Sequence, residues 1–171
     1  MSSGLMLPPG AGRLIKGGGL HATLKVPGGT AVTSTFEVVV PPGYDVGAHV
    51  HTTGEELFYV VAGTLDLLAF EPVERGDDWH DWVSASGHRY LRGGPGSLLF
   101  VPAGCPHAFA NLSGEPATML FQSAPSGHED YFAELAELLN RSQGSRPDPA
   151  EVAALRKRHD IEQLTPFRDG R

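Results

Sequence analysis

The strongest constraint on this chain is the spacing of histidine, glutamate and glycine within residues 43–63, which read GYDVGAHVHTTGEELFYVVAG. His49 and His51 are two residues apart, so on a β-strand both side chains point to the same face. Residues 52–54 can form a tight turn before Glu56, and the apolar run after it predicts a returning strand. Two imidazoles and one carboxylate on adjacent strands then converge on one point, as in mononuclear metal sites that keep open coordination positions.

A second stretch, residues 96–111, reads GSLLFVPAGCPHAFAN and predicts a strand over 97–101, a turn at 102–104 and then His107. A histidine on this distant strand would complete a set of three imidazoles and one carboxylate. Any one of these four residues alone is as easily an ordinary polar side chain. Four residues at mutually consistent spacing favour a metal site.

The two stretches resemble the two sequence motifs of the cupin superfamily at every motif position. The matching residues are Gly43, His49, His51, Glu56 and Gly63 in the first motif, and Gly96, Pro102, Gly104, His107 and Asn111 in the second. The spacer between the motifs is longer than in the most compact members. The resemblance implies that His49, His51, Glu56 and His107 bind one divalent metal ion per chain, which is iron, manganese, nickel, cobalt or zinc.

The neighbouring carboxylate Glu55 is the alternative to Glu56, because the cupin motif tolerates either spacing. The six-residue spacing between the glutamate and Gly63 favours Glu56. Adjacent residues on a strand also face opposite ways, so only one of the two can point inward. We therefore assign Glu56 as the ligand.

The predicted fold class is all-β: an antiparallel cupin barrel, or jelly roll, with C-terminal helices. The 22 glycines and 14 prolines among 171 residues favour short strands joined by turns over a helical bundle. The length fits one domain. Within it we expect a flexible N-terminal arm over residues 1–19, the barrel over 20–125 and a helical extension over 126–171.

In the extension, residues 129–140 have an amphipathic helical pattern. Residues 142–147 read as a linker, and Asp148 followed by proline predicts a second helix start. We expect these helices to pack on the outside of the barrel, the basic run 156–158 to be a solvated face and the tail to be irregular. In the long spacer 71–94, two tryptophans either cap the barrel mouth or form a subunit contact.

Charge and composition restrict the partners. The net charge is −7 with no basic cluster before the C-terminal segment, which argues against nucleic acid. The N-terminus lacks the pattern of a signal peptide, and no apolar run is long enough to cross a bilayer. The single cysteine, Cys105, excludes an intrachain disulfide. We expect a soluble cytoplasmic protein that binds a small molecule and no membrane, and that pairs barrel edges in a homodimer.

Four protein ligands on a six-coordinate ion leave about two positions open, and a site charge of about +1 favours an anionic oxygen donor. The chain resembles single-domain, quercetin dioxygenase-like cupins, which implies a dioxygenase acting on an enolic or aromatic, flavonol-like substrate, with Glu56 also serving as the catalytic base. Phe58, Met119 and Phe121 are candidate substrate-binding residues, although they fit equally well as barrel core. The alternatives are a polyketide cyclase or isomerase that uses the metal as a Lewis acid, and a non-catalytic binding module.

Overall fold

Two facing antiparallel sheets dominate the computed structural model, which describes residues 4–17, 19–141 and 147–169. The strands are β1 (Arg13–Gly17), β2 (Leu20–Val26), β3 (Ser34–Val40), β4 (Tyr44–Asp45), β5 (His49–Val50), β6 (Glu55–Ala62), β7 (Leu65–Ala69), β8 (Pro72–Glu74), β9 (Val83–Ser84), β10 (Leu91–Gly93), β11 (Leu98–Val101), β12 (His107–Ala110), β13 (Ala117–Ala124), β14 (Glu162–Gln163) and β15 (Arg168–Asp169). The helices are α1 (His128–Arg141) and α2 (Pro149–Arg158), with a short 3₁₀ helix at Trp79–Asp81.

The first sheet has the strand order β1-β2-β3-β13-β6-β11. The second has the order β10-β7-β12-β4-β15, with β5 paired to β12 and β14 paired to β5. Apart from β1, β2 and β3, neighbouring strands on these two paths are not consecutive in the chain, so each sheet combines strands from distant parts of the sequence. The predicted all-β class, an antiparallel barrel with C-terminal helices, is confirmed.

The barrel interior follows from strand alternation. On β13 the odd-numbered residues from Ala117 to Ser123 are buried, because successive side chains point to opposite faces. Phe121 stacks on Phe36 of β3 and on Phe58 of β6, with ring centroids 5.6 and 5.1 Å apart. Phe58 also packs against Phe109 of β12 with ring centroids 5.6 Å apart, so aromatic packing next to the first motif connects the two sheets.

The motif glycine Gly63 lies in the turn between β6 and β7, where only glycine fits. Its φ of +74° is in the left-handed region. A Cβ atom there would also lie 2.7 Å from the Ala117 Cα. A larger residue would therefore push the turn away from β13 and disturb the strand that carries Glu56.

The predicted N-terminal arm differs from the structure at Arg13–Gly17, which forms β1 and pairs with β2. Ile15 on this strand is buried. Gly17 lets the strand approach α1 closely, since a Cβ at this position would lie 2.4 Å from the Ala136 carbonyl oxygen. Burial of one apolar side chain and a close helix contact therefore fix this strand, and the barrel begins before residue 20.

The C-terminal extension contains both predicted helices, and Asp148 caps α2 by accepting a hydrogen bond from the Ala150 amide at 2.9 Å. The expectations for its packing are wrong in three respects. Phe132 of α1 faces the barrel interior, so the helix closes one end of the barrel instead of lying only outside it. Arg156, expected in a solvated face, is 1% exposed. The tail pairs with the second sheet through β14 and β15. Most of the predicted linker, residues 142–146, lies outside the described residues.

The long spacer covers the outer face of the second sheet. Strands β8 and β9 form a hairpin whose loop carries Trp79 and Trp82, and both side chains are buried against Leu68 and Ala108. The Trp79 indole donates a hydrogen bond to Asp45 Oδ1 at 2.9 Å. The tryptophans therefore sit neither at the barrel mouth nor on an exposed surface. In the described ranges, no helix is both long and apolar enough to span a membrane.

Glu129 connects the start of α1 to the barrel and provides a stability prediction. Its buried carboxylate accepts hydrogen bonds from the Ser34 hydroxyl and from the Gly28 and Gly127 amides, the latter two at 2.6 and 3.2 Å. Burial raises the pKa of Glu129, but these hydrogen bonds outweigh burial and lower it below the usual value. Because the folded-state pKa is depressed, this stabilisation is present above the unfolded-state pKa and is lost as pH falls through the folded value.

We expect Glu129→Gln to lower the free energy of unfolding at pH 7 by about 2 kcal/mol, because the charge-assisted hydrogen bonds weaken. The difference from wild type should shrink as pH falls below about 4. Chemical denaturation at pH 7 and at lower pH measures both effects. Glu137→Gln, an exposed change on the same helix, is the control. Equal stability of Glu129→Gln and wild type at pH 7 would contradict the assignment.

Candidate metal centre

Strand pairing brings the four motif residues together. His107 on β12 is the register partner of His49 on β5, and Glu56 begins the buried face of β6. His51 follows β5 directly. All four side chains are buried, and each offers a ligand atom within 4.8 Å of the other three. The cluster can therefore hold one metal ion, and these are the four residues that the two motifs select.

The backbone fixes the tautomer of all three histidines. The Nδ1 atoms of His49, His51 and His107 lie 2.9, 3.0 and 3.0 Å from the carbonyl oxygens of Gly47, Asp160 and Cys105. A carbonyl can only accept, so each Nδ1 carries the hydrogen and donates it. In the neutral form of each ring, Nε2 then has a lone pair that faces the cluster. This is the arrangement in which metal-binding imidazoles are held.

The inward-facing atoms need a cation among them. The Glu56 oxygens lie 3.1 Å from His51 Nε2 and 3.0 Å from His107 Nε2. A carboxylate and an imidazole lone pair repel each other unless a proton or a metal ion lies between them. His51 Nε2 is also buried without a hydrogen-bond partner among the described residues. The residues present therefore fit a divalent metal ion.

The electrostatics of the cluster agree with its use as a ligand set. Burial lowers the pKa of His49 well below its usual value, and the neighbouring His107 and Arg156 lower it further, so His49 is a neutral imidazole. Burial raises the pKa of Glu56, but the adjacent His107 and His51 side chains outweigh burial and hold it well below the usual value. Neutral imidazole and ionised carboxylate are the protonation states that bind metals.

The alternative carboxylate, Glu55, is exposed on the outer side of β6, whereas Glu56 is 4% exposed and faces inward. Strand alternation therefore decides between the two neighbours as expected. Cys105 contributes its backbone carbonyl to His107, and its thiol is not among the four clustered ligand atoms. Partial burial raises the pKa of this thiol.

Asp160, just past α2, is a supporting residue that the sequence analysis missed. It has a left-handed φ of +57°. Its carbonyl accepts the hydrogen bond from His51, and its carboxylate accepts hydrogen bonds from the Thr53 amide and hydroxyl, both at 2.9 Å. Slight burial opposes ionisation, but hydrogen bonds from Thr53 and Thr52 lower the pKa of Asp160 to about 2. The C-terminal extension therefore orients the His51 ligand and the loop that follows it.

The predicted substrate-binding residues Phe58, Met119 and Phe121 line an internal cavity that also reaches His49 and Glu56. All three are at most 2% exposed. The cavity holds only about 30 Å³, which is room for about one water molecule. These side chains therefore act as barrel core next to the ligands, and a substrate role for them stays a prediction.

A second, open pocket of about 200 Å³ reaches the cluster from the protein surface. It lies between the loop after β5, the turn from β13 into α1 and the end of α2. His51 and Glu56 both line it, together with Ser123 and His128, which the motifs did not indicate. Strand alternation could have identified Ser123, which shares the inner face of β13 with Phe121. No spacing pattern points to His128.

His128, the first residue of α1, lies beside the cluster without belonging to it. Its ring packs edge-on against Phe121 and Phe132, with centroid distances of 4.9 and 4.6 Å. Its Nδ1 lies 3.7 Å from Glu56 Oε1, which is beyond hydrogen-bond distance. Burial lowers the pKa of His128 to about 4, so its imidazole is neutral.

The comparison with protein families agrees with this geometry. Residues 36–122, just over half of the chain, match the Cupin domain family. The protein belongs to the cupin family. The match includes all four clustered ligands and excludes β1, β2 and both helices, so Asp160 and His128 lie outside the part that defines the family.

One protein matched by sequence and two solved structures are similar to this cupin. The uncharacterized protein MJ1618 of Methanocaldococcus jannaschii is 30% identical over 102 residues, which are 57% of this chain and 65% of that protein, less than two thirds of its length. A Cupin 2 conserved barrel domain protein from Salinispora arenicola has a TM-score of 0.51 at 21% identity, over 78% of this chain and 99% of that one. KdgF from Halomonas has a TM-score of 0.50 at 15% identity, over 66% and 85%. At these identities the structures show a shared fold.

We expect His49→Ala or His107→Ala to remove most of the bound metal while the barrel stays folded, because each change deletes one of four ligands and leaves the aromatic core intact. Elemental analysis of protein purified without added metal measures the loss, and circular dichroism checks the fold. His88→Ala, which removes an exposed imidazole, should keep wild-type metal content. Wild-type metal content in both ligand variants would refute the site.

Proposed function

We propose that this cupin is a metal-dependent enzyme acting on a small molecule that binds through oxygen. The observation that carries the proposal is the convergence of three imidazoles and the Glu56 carboxylate at the inner end of an open pocket. A purely structural polar cluster would not need a path from the surface. Buried polar groups that face such a path are typical of sites where chemistry occurs.

A divalent ion held by His49, His51, Glu56 and His107 would supply Lewis acidity and, if redox-active, reactivity with dioxygen. The chain's own residues contribute the remaining parts. Glu56 lines both the open pocket and the internal cavity, so one carboxylate oxygen can accept a proton from an enolisable substrate. The rings of Phe58 and Phe121 exclude water on the side of the site away from the pocket.

The finer proposal is a dioxygenase that acts on an enolic substrate. Its support is a site charge of about +1, which favours a deprotonated enol over a neutral ligand. The internal cavity of about 30 Å³ cannot accept a three-ring flavonol as it stands. A small enol entering through the open pocket therefore fits this site better than the flavonol suggested by the quercetin dioxygenase-like resemblance.

A second candidate is an isomerase or cyclase that uses the ion only as a Lewis acid. The mixed, partly polar lining of the open pocket favours it, because hydroxyl and imidazole groups can hold a polar substrate that exchanges protons with Glu56. Such a reaction requires a polarised carbonyl and a base but no dioxygen. A non-catalytic binding module would use the same pocket and produce no turnover.

Oxygen consumption separates these functions. The iron, manganese, nickel, cobalt and zinc forms are each supplied with quercetin or with dihydroxyacetone, which is a small enolisable hydroxyketone. Oxygen uptake with either compound supports the dioxygenase. Loss of the substrate's α-protons to deuterium oxide without oxygen uptake, followed by NMR, supports the isomerase or cyclase. Neither change with any metal form would reject both catalytic proposals and leave the binding module.

We expect Glu56→Gln to keep part of the bound metal and to lose turnover by roughly a hundredfold or more, because an amide cannot accept the substrate proton. Metal content and rate are measured on the same preparation, so that the rate is expressed per bound ion. Glu55→Gln is the matched comparison, since Glu55 is exposed at the pocket on the same strand but lies outside the ligand cluster. Equal rate losses in the two variants would show that the wrong carboxylate was assigned.

We also propose that the protein forms a homodimer through the edge strand β11. Leu98 and Phe100 on this strand are 54% and 53% exposed, and Val61 on the adjacent β6 is 52% exposed. An unpaired edge with apolar side chains on its outer face is suited to pairing with a second copy. Light scattering should give a dimer mass for wild type and a monomer mass for Phe100→Asp. Val73→Asp, also at an exposed apolar residue, should remain dimeric. A monomeric wild type would refute the proposal.

A further inference from the structure

Two polar side chains in the open pocket form no hydrogen bond with the described part of the protein. The Ser123 hydroxyl is buried without a hydrogen-bond partner among the described residues, and the residue is 5% exposed. His128 has no hydrogen bond to a described residue either, and its side chain is only 13% exposed. By contrast, every histidine of the metal cluster has its Nδ1 bound to a carbonyl. Buried polar groups are normally satisfied, so the Ser123 hydroxyl lacks a partner that a bound molecule could supply, and His128, which lines the same pocket, is free to contact that molecule.

Both groups are placed beside the metal cluster. Ser123 on β13 is the register partner of Glu56 on β6, and strand alternation turns both side chains inward. His128 lies on the other side of the same carboxylate, with its Nδ1 3.7 Å from Glu56 Oε1. The aromatic rings of Phe121 and Phe132 hold its imidazole edge-on and fix its orientation. A molecule bound at the cluster from the open pocket would therefore meet both groups.

The charges of the pocket restrict the chemical class of that molecule. The lining contains the carboxylates of Glu55, Glu56 and Asp160, and within the described ranges it contains no lysine or arginine. His159, also in the lining, is 3.0 Å from Glu134 and is thus occupied by that carboxylate. The metal ion is the one strong positive charge that such a pocket would offer. A ligand whose far end is anionic would face carboxylates there, whereas hydroxyl groups would meet matching donors and acceptors.

We propose that the open pocket binds a small, uncharged hydroxyketone whose metal-distant oxygen atoms hydrogen-bond to Ser123 and His128. This inference rests on the proposed metal-dependent function and adds the substrate class and two substrate-contacting residues. The Ser123 hydroxyl can donate to a carbonyl or accept from a hydroxyl, and a neutral imidazole can do the same. Both contacts come from outside the metal-binding motifs, and His128 comes from the C-terminal extension.

The test uses Co²⁺-loaded protein under argon, in which visible absorption reports on ligands that reach the ion. Dihydroxyacetone should shift the spectrum of wild type. Ser123→Ala and His128→Phe should each retain full cobalt content and weaken dihydroxyacetone binding roughly three- to tenfold, the size expected for one hydrogen bond. His128→Gln should recover part of the affinity. His88→Ala is the control and should bind like wild type.

Stability provides an independent measurement. Ser123→Ala removes a hydroxyl that has no protein partner, so its melting temperature should equal or exceed that of wild type. His128→Phe keeps an aromatic ring among Phe121 and Phe132 and should also fold. A lower melting temperature for Ser123→Ala would mean that the hydroxyl supports the fold, which would contradict its role as a free substrate-binding group.

The remaining outcomes separate the failure of this inference from the failure of the proposed function. Wild-type protein that holds no Co²⁺ would overturn both. Protein that holds Co²⁺ and binds dihydroxyacetone with equal affinity in wild type, Ser123→Ala and His128→Phe would overturn the inference alone. Dihydroxyacetone phosphate carries an anionic far end on the same hydroxyketone and should bind more weakly than dihydroxyacetone. Tighter binding of the phosphate, or no spectral shift with dihydroxyacetone, would overturn the substrate class.

Discussion

Three backbone carbonyls determine what the centre of this barrel can do. By accepting the Nδ1 hydrogens of His49, His51 and His107, they orient three imidazoles toward one carboxylate in a buried space. Such a cluster is costly without a cation, because each desolvated acceptor has lost its water and gained a repulsive neighbour. Two features orient each imidazole: its backbone position on or next to a strand, and its hydrogen bond to a carbonyl. The barrel therefore provides a preorganised ligand set.

The three carbonyls lie at different sequence separations from the histidines that they bind. Those of Gly47 and Cys105 lie two residues before the histidines they bind, so local chain geometry supplies them. The carbonyl of Asp160 comes from beyond α2, and α2 is anchored by the buried Arg156, which donates to the Val46 carbonyl at 3.1 Å. The orientation of His51 thus depends on correct docking of the extension. The site is therefore complete only when the C-terminal segment is docked.

Local spacing made most of the barrel and the ligand set predictable from sequence. The alternation of β13 and the choice of Glu56 over Glu55 follow from the two-residue period of a strand, and Gly63 marks the turn between β6 and β7. Long-range contacts were not predictable in this way. The basic run at 156–158 looks like a solvated helix face, and only tertiary packing reveals that its first arginine is buried. Likewise, Asp160 contacts His51 across 109 residues of sequence, and His128 reaches the site from the first turn of α1. Neither residue leaves a periodic signal in the sequence.

The position of Glu56 between two unlike cavities gives the site its chemical character. On one side the carboxylate meets Phe58 and Phe121, whose stacked rings leave space for about one water molecule and keep the local dielectric low. On the other side it meets the open pocket, where solvent and polar side chains are present. A substrate that enters from the polar side would place its reacting oxygen at the dry boundary, where charge–charge interactions are strongest. The aromatic core behind the ligand cluster therefore also strengthens the electrostatics of the site.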